Sequence, residues 1–319
     1  MDRRQYLRAA LAFGCSSALA GCFDRVDAST GSDDDGGLEV ADRSGERALA
    51  RSAGRLNEAT YVFETDSDLD DGEFDPSVAE DRLADARESL EDAAEAREDD
   101  ADVDELRAYA AVLEDLLAVA ETVTDEDLEA DAETIPESMA NRRLADASAT
   151  VDDLHDRIDG ADDRLEDVIA ALGSLDADRL TARSVVDPAE LEPGVSKLED
   201  VVRALAALVA GFEATIEGYE SLECGRKRSE EGEHERAREA FNEAERAFET
   251  ATKRLEDGRA RAPETLDSLF ETELRRNDSL ERATAGFVGA TDATLDRDPA
   301  TARSRREDAE AELEAADSV

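Results

Sequence analysis

Tryptophan is absent, histidine occurs only as His155 and His234, and lysine only as Lys197, Lys227 and Lys253. Aromatic residues make up 4% of the chain, and its 319 residues include 3 cysteines and 6 prolines. Each scarcity excludes something. Too few cysteines are present for a disulfide framework. Neither histidine has a second cysteine nearby, which argues against a Cys/His zinc site. Basic residues number 37 against 85 acidic ones, a net charge of −48. A basic footprint for nucleic acid is therefore missing, and the overall charge does not favour anionic lipid. No Gly-rich phosphate loop, Gly-Xaa-Ser-Xaa-Gly elbow or His-Glu-Xaa-Xaa-His occurs. Carboxylate pairs are everywhere, so none of them singles out an acid/base site. The sequence assigns no catalytic residue, no metal ligand and no cofactor.

The first residues carry more information. Met1-Asp2-Arg3-Arg4-Gln5-Tyr6-Leu7-Arg8 is followed by an Ala-rich apolar run from Ala9 to Ala20. That run falls short of the ~20 apolar residues that span a bilayer. A basic start, a short apolar middle and small residues at the end are the layout of a signal peptide. Arg3 and Arg4, one spacer, an aromatic and a leucine resemble the twin-arginine signal of proteins exported folded. Leu19-Ala20-Gly21-Cys22 resembles the lipobox of lipoproteins. The resemblance implies cleavage before Cys22 and lipidation of its thiol. Stable anchoring takes two lipid chains, each methylene contributing ~0.8 kcal/mol, and a diacylglyceryl group supplies both. Cys15 sits in a poorer lipobox, and with Cys22 lipidated Cys224 is left without a partner.

Residues 22–40 form the next segment. Asp27 to Gly37 is built from Asp, Ser, Thr and Gly with one Ala, the composition of a flexible tether. Acid excess, scarce lysine, abundant alanine and few aromatics resemble proteins of extreme halophiles, haloarchaea above all. Like charge at this density opposes compaction unless salt screens it. Disorder, the other reading of high acidity, conflicts with the strong apolar periodicity of residues 41–319.

That periodicity alternates steps of three and four. It runs through Leu49-Ala53-Leu56-Phe63, Leu83-Ala86-Leu90-Ala93, Val103-Leu106-Ala110-Leu113-Leu117-Ala120 and Leu144-Ala147-Val151-Leu154-Ile158-Ala161-Leu165-Val168-Leu172-Leu175. It returns in Val195-Leu198-Val202-Leu205-Val209-Phe212-Ile216-Tyr219 and in Ala237-Phe241-Ala244-Phe248-Ala251-Leu255. From Leu266 onward it loosens. One apolar seam per helix predicts shallow-angle packing. The prediction is an all-α antiparallel bundle or helical array of about eight helices. Breaks are expected at 66–76, 99–102, Ile135-Pro136, 188–194, 225–232, 258–263 and Asp298-Pro299. A division near 188–194 and continuous packing remain equally open.

Two motifs bear on binding. Gly225, Gly232, Ala237, Phe241 and Ala244 match the small-residue and aromatic spacing of a tetratricopeptide repeat. His234 stands where the family's turn aromatic is usual, Ser221 and Arg228 depart from the first-helix pattern, and no proline closes the unit. The likeness covers one repeat and implies a TPR-like helical hairpin; an Ala/Phe core stripe in a bundle fits the same residues. Asp66, Asp68 and Asp70 match the first ligands of an EF-hand, but Asp71 replaces its glycine and Ser77 its bidentate acid. A solvated acidic turn is the expectation there.

Together these features predict a lipid-anchored, extracytoplasmic, non-enzymatic lipoprotein. Its helical part is expected to act as a protein-interaction or scaffold module with a protein partner. The alternative is a solute- or cation-binding surface lipoprotein.

Overall fold

In a computed structural model the described residues are 38–65, 76–97 and 100–319. They form ten α-helices and one short 3-10 turn, with no strand among them. The helices are α1 (Leu38–Thr65), α2 (Pro76–Ala96), α3 (Ala101–Thr124), α4 (Glu126–Ala140) and α5 (Leu144–Leu172). Then come α6 (Ala177–Ala182), the 3-10 turn (Pro188–Glu190), α7 (Glu192–Glu230), α8 (His234–Arg259), α9 (Glu264–Leu295) and α10 (Pro299–Asp317). Ala, Leu, Glu and Arg are frequent in them, the residues that lose least on entering a helix. Asp125, Asp176 and Asp298 cap α4, α6 and α10 by accepting backbone N–H bonds from Asp127, Arg179 and Thr301.

The chain divides into two compact units, with crossings at 121/122, 162/163 and 198/199, inside α3, α5 and α7. In the unit containing α1 and α2, these two helices pack antiparallel: Arg51 meets Asp92 at 3.5 Å and Arg82 meets Glu58 at 2.9 Å. The core is the predicted seam of Leu83, Ala86, Leu90 and Ala93 together with Leu49, Leu56, Leu106 and Leu113, all buried. Tyr109 is buried with its hydroxyl 3.0 Å from that of Thr60. Asn57 holds the 184–186 segment from both sides, donating to the Ser184 carbonyl at 2.7 Å and accepting from Val186 N–H at 3.0 Å. Asp102 accepts from Arg179 at 2.7 Å and from Arg183 Nε at 2.8 Å. Burial opposes its charge, but the two guanidinium groups outweigh this and hold its carboxyl below the ordinary value.

The other unit is built on an up-down-up-down bundle of α7 (from Glu199), α8, α9 and α10. Contacts between α7 and α10 close the ring: Tyr219 donates to Asp317 Oδ1 at 2.9 Å, and Arg226 meets Glu310 at 3.3 Å. Helix α4 also reaches α10.

Two expectations about the elements need correction. Pro136 does not break a helix; it lies inside α4. It forfeits one intrahelical bond, yet Leu128, Ala132, Ile135 and Met139 stay buried along one face. Gly225 is interior to α7, so the break after it is only residues 231–233. The loosened region after Leu266 is one helix of 32 residues. Its seam continues through Leu266, Phe270, Glu273, Asn277, Leu280, Thr284, Phe287 and Thr291, all buried. Polar residues hold four of these seam positions (Glu273, Asn277, Thr284 and Thr291).

Candidate functional site

The α7–α8 hairpin is where the sequence placed its binding motif. Gly211, Gly218 and Gly225 recur every seven residues on α7. Leu255, Phe248 and Phe241 recur every seven on α8, running the other way. A Cβ at the three glycines would lie 2.7 Å from Leu255, 2.3 Å from Phe248 and 2.6 Å from Phe241. Each glycine is therefore the hole for one large side chain opposite. The turn between the helices depends on Gly232 at φ +81°. Around it Glu233 N–H reaches the Arg228 carbonyl at 2.9 Å and Gly232 N–H that of Ser229 at 3.2 Å, the helix-ending pattern in which a left-handed residue satisfies the last carbonyls.

Ala237, Phe241 and Ala244 are all buried. Phe241 also stacks on Phe287 of α9, with ring centroids 5.3 Å apart. The aromatic that would line a TPR-like groove is thus covered by α9. Cys224, on the α7 side of this hairpin, is half-buried. His155 is partly exposed, with Glu213 and Asp159 each 3.1 Å from one ring nitrogen. His234 opens α8, and its Nδ1 is buried without a hydrogen-bond partner.

A node that no motif announced joins α4, α7 and α10 at the turn after α4. Arg142 sits between α4 and α5 at φ 59°, in the same helix-ending pattern as Gly232. Its guanidinium lies 4.8 Å over the Tyr219 ring. It donates to both Asp317 oxygens at 3.2 and 3.0 Å, to Glu223 at 3.1 Å, and to the carbonyls of Met139 and Ala140. Burial and then the Asp317 charge push the Tyr219 hydroxyl well above its ordinary range, so it stays a neutral donor. The node has no local pattern because its parts come from separate helices.

In the same unit, α9 buries a charged pair. Glu273 and Arg276 lie 3.4 Å apart with side chains 3% and 8% exposed. Burial raises the Glu273 carboxyl, Arg276 opposing this less strongly. Arg276 Nε has no partner. Asn277 donates to the Glu273 carbonyl at 3.2 Å, and the Thr215 hydroxyl reaches Asn277 Oδ1 at 3.3 Å.

Arg3, Arg4, Leu19, Ala20, Gly21 and Cys22 lie outside the described residues, as do the tether through Gly37 and the acidic residues 66–75. Among the described residues no group of three or more His, Cys, Asp or Glu is arranged to hold a metal ion. None of their helices is long and apolar enough to cross a membrane. No family model, curated protein or solved structure matches the chain.

Proposed function

We propose that the protein is a lipoprotein held at the extracytoplasmic face of the membrane through Cys22, with its helical part serving as a non-enzymatic interaction or scaffold module. The observation that carries this reading is the ordered pair of signals, Arg3-Arg4 before a short apolar run and Leu19-Ala20-Gly21-Cys22 after it. An address and a lipidation site in that order specify an anchored rather than a spanning protein. Export in the folded state suits a chain of charge −48, which would fold only where salt screens it.

The packing of Phe241 supports a scaffold more than a peptide-binding groove. Its ring fills the space over Gly225 and stacks on Phe287, so a peptide would have to displace α9. Partners would meet the outer helix faces instead. Fractionation of expressing cells tests the anchor. Wild type should sediment with membranes and be released by detergent but not by salt, while Cys22→Ser should be recovered in the soluble exported fraction. Sedimentation of Cys22→Ser together with wild type would remove the reading.

A further inference from the structure

Acidic residues outnumber basic ones 85 to 37, yet several guanidiniums, those of Arg228, Arg275 and Arg305 among them, meet only carbonyl or hydroxyl oxygens. The turn from α9 to α10 brings two more such arginines to one recess. Arg297, Arg303 and Arg306 line a recess of about 380 Å³ with Thr294, Ala302 and Glu307. Glu307 is the one carboxylate in that lining, and it is taken by Arg303 at 2.7 Å. Asp298 caps α10, accepting from Thr301 N–H at 3.2 Å and its hydroxyl at 2.7 Å. Among the described residues Arg297 and Arg306 have no carboxylate partner; the contact of Arg306 is the Ser229 hydroxyl at 3.4 Å. Arg306 also lines a neighbouring opening with Arg142 and Arg226, where Glu307, Glu310, Glu314 and Asp317 answer the guanidiniums.

Arg297 is held at φ 60°, ending α9 in the pattern that Gly232 uses at the end of α7. That conformation is strained for a non-glycine residue; glycine would adopt it freely.

We propose that this recess binds a phosphate group, clamped between Arg297 and Arg306 with Arg303 at its side. The one carboxylate at the recess, Glu307, is engaged by Arg303, which leaves Arg297 and Arg306 for an outside anion. Two forked guanidiniums match an anion with more oxygens and more charge. The phosphate could be free or borne by a lipid headgroup, and the two sources are separable.

The test uses full-length Cys22→Ser protein in a fixed high chloride concentration, so membrane anchoring through Cys22 plays no part. Inorganic phosphate is titrated by calorimetry and by thermal melting, and flotation compares phosphatidic acid vesicles with vesicles of uncharged glycolipid. The expected result is measurable heat and a rise in Tm with inorganic phosphate, flotation with phosphatidic acid alone, or both. The first assigns a free phosphate, the second a headgroup. Phosphate also stabilises proteins generally by exclusion from their surface, so variants decide. Arg306→Gln and Arg297→Gly should each weaken binding about tenfold or more, the scale of a lost charge-assisted bond. Arg297→Gly should keep or raise the phosphate-free Tm, which separates lost binding from lost folding. Equal responses in wild type and both variants, or no response to phosphate or to either vesicle, would overturn the proposal.

Discussion

At Gly218 a single hydrogen atom sets how closely α7 and α8 approach. A methyl there would sit 2.3 Å from the ring of Phe248, which itself packs edge-on against Tyr219. Neither ring can swing aside, because both are buried. Gly218→Ala should therefore destabilise the fold by about 1–3 kcal/mol, the usual cost of overpacking. That holds although alanine is the better helix former by about 1 kcal/mol. Gly160, inside α5, gives the opposite sign, because a methyl added there would meet nothing within 4 Å. Gly160→Ala should stabilise by about 0.5–1 kcal/mol. Chemical denaturation of the two variants checks both. If Gly218→Ala matched or exceeded wild type, the glycine-for-ring packing of this hairpin would be wrong.

Along each helix, apolar seams were readable wherever the seam is apolar throughout. The stripes from Leu83, Val103, Val195 and Ala237 are buried as their spacing predicts, and the stripe from Leu144 is buried from Ala147 to Val168 but only half-buried at Leu144, Leu172 and Leu175. Helix α9 escaped because Glu273, Asn277, Thr284 and Thr291 stand at seam positions, where a count of apolar residues does not register them. Turns were readable where glycine or proline marks them, at Gly232 and Pro299. The turns at Arg142 and Ser184 were missed, since each places an ordinary residue at φ 59° or 61°. The Arg142 node was unreadable for a further reason: its contacts join residues up to 175 positions apart. Pro136 misled because a proline's lost bond can be outweighed by the burial around it.

The buried Glu273–Arg276 pair yields a prediction for α9. Removing one charge strands the other, while replacing both by apolar residues is often neutral or stabilising. Glu273→Met alone should cost about 3 kcal/mol, and Glu273→Met with Arg276→Leu should recover most of that loss. The pH dependence has a definite sign. The Glu273 carboxyl is raised in the folded state. Its contribution is full below the ordinary glutamate value of ~4.3 and is lost as pH rises through the raised value. The stability of wild type relative to Glu273→Gln should therefore fall as pH rises above the ordinary glutamate value of ~4.3. A wild-type advantage that grows with pH, in denaturant titrations at fixed high salt, would contradict the burial assigned to this carboxyl.

For the whole molecule the governing quantity is a charge of −48 on 319 residues. Many seam positions are alanine, which buries little area at ~25 cal/mol per Å². Screening and strengthened burial in salt must both contribute, the Debye length falling from ~10 Å at 0.1 M to ~3 Å at 1 M. Circular dichroism during removal of salt should show helicity lost or the chain expanding. Full helicity without added salt would exclude this dependence.

The membrane anchor at Cys22 is the claim on which the proposed role rests. Mass spectrometry of the mature protein from its native membrane tests it most directly. The expected N-terminal residue is Cys22, carrying the mass of a diacylglyceryl group. An unmodified Cys22, or a mature chain beginning elsewhere, would contradict it.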